Sequence, residues 1–210
     1  TLHLDSGGTP TIIQIDSDTE SSINFNDHGG SAQAFKIGTN ISGNTGNLEI
    51  YDVTDSALVM SVDGTGAITK PLQPAFLASP SSSQTNIPIN GATTVAFGNE
   101  VFDNNSDFAS NTFTAPVTGK YQLQYTATYN SPDPATDYVE HLLITSNRNY
   151  QIVLDPDGFD TSPLYHTFNI CVLADMDASD TAYIRVQMNN SGSSQMDIST
   201  SSYFSGYLVA

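Results

Sequence analysis

The chain has 210 residues and carries five Lys and Arg against 22 Asp and Glu, a formal charge of −17. Nucleic-acid binding is excluded, because phosphate contacts need clustered cations. Attraction to an anionic membrane is excluded on the same ground, and no apolar run approaches the roughly 18 residues of a membrane helix.

The apolar residues alternate in short runs broken by Gly, Asn, Asp and Ser, which predicts strands and turns rather than helices. In chain order the first runs are Thr11-Ile-Ile-Gln-Ile15, Ile23-Asn-Phe25, Ala34-Phe-Lys-Ile37, Leu48-Glu-Ile-Tyr51, Leu58-Val-Met-Ser-Val62 and Ala67-Ile-Thr69. The turn clusters between them include Asp63-Gly64, a strong hairpin signal. A sheet this thin leaves an apolar face wet, so its core is expected to be shared between chains.

Two prolines in Lys70-Pro-Leu-Gln-Pro74 divide the chain into residues 1–70 and 71–210. Beyond them the predicted strands lengthen: 75–77, 93–97, 111–115, 119–129, 137–145, 150–155, 164–174, 181–189 and 200–209. Tyr121, Leu123, Tyr125 and Ala127 fall on one face of the 119–129 strand, with Gln122, Gln124, Thr126 and Thr128 on the other. So many strands in about 135 residues predict an all-β two-sheet sandwich or jelly roll.

Chemistry is sparse. The histidines His3, His28, His141 and His166 are scattered, and Glu140 and His141 point to opposite strand faces. No nucleophile elbow, zinc helix, phosphate loop or dinucleotide fingerprint occurs. Catalytic residues are therefore expected to be none. The one cysteine, Cys171, lies in an apolar run and reads as a buried structural thiol. Asp155, Asp157 and Asp160 surround a Gly turn and offer hard oxygen ligands for calcium, the one candidate cofactor. The same residues also read as an ordinary Asp-rich turn, as do Asp175, Asp177 and Asp180. Three long polar connections carry the candidate receptor-binding residues Asp133, Asp137, Phe159, Asn190 and Gln195. The few basic residues read as poor candidates for a binding site.

The segment Phe113-Thr-Ala-Pro-Val-Thr-Gly-Lys-Tyr121 resembles the signature of the globular head of complement-1q, whose larger group includes tumour necrosis factor. Pro74-Ala-Phe76, Asn99-Glu-Val-Phe-Asp103, Ser179-Asp-Thr-Ala-Tyr-Ile-Arg-Val186 and Ser202-Tyr-Phe-Ser-Gly-Tyr-Leu208 follow the family's order around it, covering 74–210. Ser179 stands where the family usually has Gly, and Leu123 where an aromatic is common. The resemblance implies a jelly-roll head, non-enzymatic and trimeric, with its termini at the base and variable loops at the apex. Calcium sites are known in such trimers. It assigns Phe113, Gly119, Tyr121, Phe204, Gly206 and Leu208 to the core and trimer signature.

Asn47-Leu-Glu-Ile-Tyr51 and Leu58-Val-Met-Ser-Val-Asp-Gly-Thr-Gly-Ala-Ile68 resemble shaft segments of bacteriophage fibres, which are intertwined trimeric β structures. The absence of a Gly-X-Y run sets the chain apart from animal heads on collagen stalks. The chain begins at Thr1 and is expected to be a fragment or a processed product. The combined expectation is a homotrimeric, extracellular virion appendage. Its N-terminal side meets other virion proteins, and its head recognises a host-surface glycan or protein. The alternatives are a purely structural cap or capsid decoration, and a glycan-cleaving tip.

Overall fold

The structure is a computed structural model and describes residues 14–30, 32–158, 164–189 and 195–210. The chain forms two compact units, Thr1–Leu72 and Gln73–Ala210.

In the first unit β1 (Ser21–Asn26), β2 (Ala34–Thr39), β3 (Leu48–Asp52), β4 (Ala57–Val62) and β5 (Ile68–Thr69) form an antiparallel meander in chain order. Of the expected Thr11–Ile15 strand, residues 11–13 lie outside the described residues, and Gln14 and Ile15 are not in a strand. Cross-strand partners share a face. Phe25 opposes Phe35, Ile23 opposes Ile37, Ile37 opposes Ile50, and Ile50 opposes Met60. That apolar face is wet: Phe25 is 58% and Ile68 61% exposed.

On the other face Glu49 is fully buried. Its carboxylate accepts the Ser42 N–H at 2.8 Å and the Asn44 side-chain amide at 3.3 Å, together with the Ser42 hydroxyl. Burial pushes the Glu49 carboxyl up, but these bonds outweigh it and hold its pKa below the usual carboxylate value.

The second unit is a two-sheet sandwich. Its strands are β6 (Ala75–Ser79), β7 (Ala92–Thr94), β8 (Asn99–Asp103), β9 (Phe108–Ala109), β10 (Thr112–Thr114), β11 (Gly119–Asn130), β12 (Tyr138–Thr145), β13 (Asn149–Leu154), β14 (Tyr165–Met176), β15 (Thr181–Asn189), β16 (Asp197–Ile198) and β17 (Tyr203–Leu208). One sheet runs β14-β11-β17-β6-β8, with β16 on β11. The other runs β13-β12-β15-β10-β9, with β7 on β15. The chain is all-β, as its patterning predicts. The sequence reading omits β8 as a strand, because Val101, Phe102 and neighbouring polar residues show no clean alternation. A bulge at Leu77–Ala78 against β8 breaks the period there.

The core follows the alternation of β11. Tyr121, Leu123, Tyr125, Ala127 and Tyr129 are buried, while their sequence neighbours are not. Phe76 stacks on Phe108 and Phe113 at 4.9 and 4.8 Å and meets Phe204 edge-on at 5.0 Å. A side chain at Gly206 would sit 2.6 Å from Leu123 Cδ2 and 2.8 Å from Phe76 Cε1, so only glycine lets β17 approach the cluster. A side chain at Gly119 would likewise sit 2.6 Å from Ala210 O and 2.7 Å from Leu208 Cδ1.

Strand register separates the two ends of the sandwich. At one end Gly119 pairs with Met176, Leu208 with Tyr121, and Tyr207 with Ala75. Both termini of the unit lie there. At the opposite end Asn130 pairs with Tyr165 and Asp197, Tyr138 with Asn189, and Val139 with Leu154.

Candidate functional site

The opposite end gathers the residues expected to recognise a partner. Asp133, Asp137, Asp155, Asp157 and Gln195 all flank strand ends that meet there, although they come from three separate connections. Phe159, Asp160 and Asn190 lie outside the described residues. Several of these side chains also shape the backbone. The Asp133 carboxylate accepts the Ala135 N–H at 3.0 Å, and the Gln195 amide donates to Asn86 O at 3.3 Å. Three buried polar atoms at this end have no hydrogen-bond partner: Asn130 Oδ1, Thr136 Oγ1 and Asn189 Nδ2. Sequence gives no sign of them, since Asn and Thr are ordinary turn residues.

Of the three expected calcium ligands, Asp155 and Asp157 lie among the described residues. Asp155 and Asp157 are exposed, and the Asp155 carboxylate accepts the Asp157 N–H at 3.1 Å, closing its own turn. Among the described residues no group of three metal-type ligands forms. The Asp175–Asp180 turn is likewise self-contained: Arg148 pairs with Asp175 at 2.7 Å, and Asp180 accepts the Asp177 N–H at 2.8 Å.

Most of the signature residues are core, with Gly119 and Leu208 half-buried at its edge. Phe113, Tyr121 and Phe204 are fully buried within one chain, and Gly206 faces the same interior. The outward face of their sheet is different. In one row across it stand Leu173, Gln122, Tyr207 and Ala75; in the next stand Cys171, Gln124, Ser205, Leu77 and Phe102. Leu173 is 56%, Tyr207 52% and Phe102 48% exposed. A cleft of about 400 Å³ opens between Ala75, Leu77, Phe102, Gln124 and Tyr207. Cys171 is exposed here, with the Gln122 amide 3.0 Å from its sulfur, which corrects the buried-thiol reading. The apolar run around it is a strand whose two faces are both partly apolar, and Cys171 falls on the outer one. Tyr207 and the glutamines were legible from the alternation; Leu173 and Phe102 were not.

Inside the sandwich, two of the histidines are neighbours after all. His141 and His166 each lie 4.4 Å from the Phe168 ring, centroid to centroid. His141 Nδ1 is 2.9 Å from the Tyr129 hydroxyl, and its Nε2 has no partner. Burial first, and His166 second, hold the His141 imidazole down to about 3.

Known proteins match this unit. The family profile for the C1q domain matches residues 75–209. Comparison with curated proteins gives no match. Among solved structures, the globular domain of zebrafish complement 1qA is similar at 16% identity and a TM-score of 0.48, over 66% of this chain and 98% of that one. Murine APRIL at pH 8.0 is similar at 9% identity and 0.47, over 65% and 99%. With the profile spanning most of the chain, from the β6 aromatic at Phe76 to the closing β17, this protein belongs to the C1q domain family.

Proposed function

We propose that the protein is a homotrimeric, non-enzymatic recognition head on a β-rich stalk, working outside the cell as a fibre-type appendage of a virus particle. The observation that carries the trimer is the wet apolar face of β14-β11-β17-β6-β8. Tyr207 and Phe102 line a cleft on it, and Leu173 stands exposed in the same row as Tyr207, beyond Gln122. Contiguous exposed apolar area of this kind marks an interface. C1q and TNF-like domains commonly form homotrimers and bind receptors, which supports the same reading. The first unit's apolar face, with Phe25 and Ile68 exposed, supports a core shared between copies along the stalk. The resemblance of residues 47–68 to bacteriophage fibre segments supports the virion assignment. In this reading the N-terminal side meets other virion proteins.

Recognition is assigned to the end away from the termini, where Asp133, Asp137 and Gln195 flank the strand ends and the three unpartnered buried polar atoms also lie. A host-surface glycan or protein is the partner. Light scattering of the purified chain is expected to give three times its monomer mass, and fluorescent protein is expected to label host cells. A stable monomer overturns the shared-core reading. A trimer that labels no cells at micromolar concentration leaves only the structural-cap role.

A further inference from the structure

The outward face of the second sheet holds an arginine, Arg185, whose buried Nε–H has no acceptor among the described residues. Arg185 lies in the middle of β15, in a row that runs Gln151, Leu142, Arg185 and Thr94 across four strands. Among the described residues the ion pairs are Lys36 with Glu20 and Arg148 with Asp175. Arg185 has none with any described acid. Its Nε–H is buried and has no acceptor. Glu140, diagonally across on β12, is turned to the Gln151 amide at 2.8 Å instead. Leu142, the cross-strand partner of Arg185 on this outer face, is only 6% exposed. The surface around the guanidinium is therefore partly dry, which strengthens any charged hydrogen bond made there.

A half-buried guanidinium without acceptors is costly to keep, because its donors lose water and gain nothing. Its planar fork matches a carboxylate in two parallel bonds. Amides and hydroxyls share its face: Thr94 beside it, Gln151 beyond Leu142 in its row, and Gln187 and Tyr183 two residues away along β15. The Gln151 amide N–H donates to Glu140 and that of Gln187 to Asn189, which leaves their carbonyl oxygens to accept. Such groups read sugar hydroxyls, and an aromatic ring packs on a sugar face. The charge of −17 repels any densely acidic protein or polymer. A single carboxylate on an otherwise neutral sugar meets the least repulsion.

We propose that Arg185 anchors a binding site for an acidic sugar, with the carboxylate on the guanidinium and the sugar hydroxyls on Gln151, Thr94 and Gln187. This face lies on the far side of the sandwich from the apolar face of β14-β11-β17-β6-β8, so the site stays open in an oligomer built on that face. It also depends on none of the loop residues named above.

The chain has two arginines, Arg148 and Arg185, so nitrogen NMR of the folded protein offers two Nε–H signals to follow. Arg148→Lys identifies the Arg185 signal by elimination, without touching the site. Titration with sodium glucuronate is expected to move that signal saturably in the millimolar range, and titration with glucose is expected to leave it in place. Arg185→Lys keeps the charge but loses the fork, and glucuronate affinity is expected to fall about tenfold. An unmoved Arg185 signal, an equal response to glucose, or full affinity in a folded Arg185→Lys variant overturns the site. An equal response to N-acetylglutamate overturns the sugar assignment.

Discussion

The Tyr129 hydroxyl and His141 Nδ1 lie 2.9 Å apart, joining β11 of one sheet to β12 of the other through the sandwich interior. The Tyr125 hydroxyl extends the chain at 3.3 Å. Because His141 is held neutral down to about 3, while an unfolded histidine binds its proton near 6.5, the unfolded state takes up the extra proton as acid is added. The contribution is complete above pH 6.5 and drains away as pH falls from 6.5 toward 3. Urea midpoints are expected to report a loss of about 2 kcal/mol between pH 6.5 and pH 5. In His141→Gln that slope flattens; an unchanged slope shows that other groups carry it.

Leu173 and Tyr207 flank Gln122 on opposite neighbouring strands, and both are more than half exposed in one chain. If the proposed trimer is built on this face, Leu173→Asp with Tyr207→Asp is expected to leave monomer, because three copies would bring added acids together. Circular dichroism of the variant stays all-β, since neither side chain supports the interior. Sedimentation at several concentrations checks the mass.

Ser179 adopts φ +76°, a left-handed conformation that β-carbons resist. It is held there by its N–H on Ala115 O at 2.8 Å, in the turn before β15. The C1q-family resemblance places glycine at this position. Ser179→Gly is expected to raise stability by about 0.5–1 kcal/mol, a gain visible in thermal melts.

Gly206→Ala drives a methyl against Leu123 and Phe76, whose rings and branches fill the densest part of the core. A loss of about 1–3 kcal/mol is expected in denaturant melts. Ala at the exposed neighbour Tyr207 is expected to cost the isolated unit far less.

The interior of the head was readable because β11 alternates without a break from Tyr121 to Tyr129, and because Phe113, Phe204 and Gly206 sit in recognisable spacing. Strands with one apolar and one polar face announce their burial. β14 and β8 do not: Cys171 and Leu173 lie in an apolar run that reads as buried yet are exposed, and Val101 and Phe102 are exposed on a segment with no clean alternation. A sequence shows that a residue is apolar but not whether its cover comes from the same chain or another. The solitary state of Arg185 was illegible for a different reason. Glu140 lies diagonally across from it only through strand pairing, and its commitment to Gln151 is a matter of rotamers.

The Gln73 amide donates to Leu208 O at 2.6 Å, and Lys120 N–H donates to Ala210 O at 2.6 Å, so the head's first and last residues are fastened side by side. Tension between those two residues peels β6 from β17 one bond at a time. Tension between that end and the loop end runs along the strands instead, and the ladder bonds, lying across it, share the load together. A head gripped by its loops and tethered at its base is thus pulled in its mechanically strong direction.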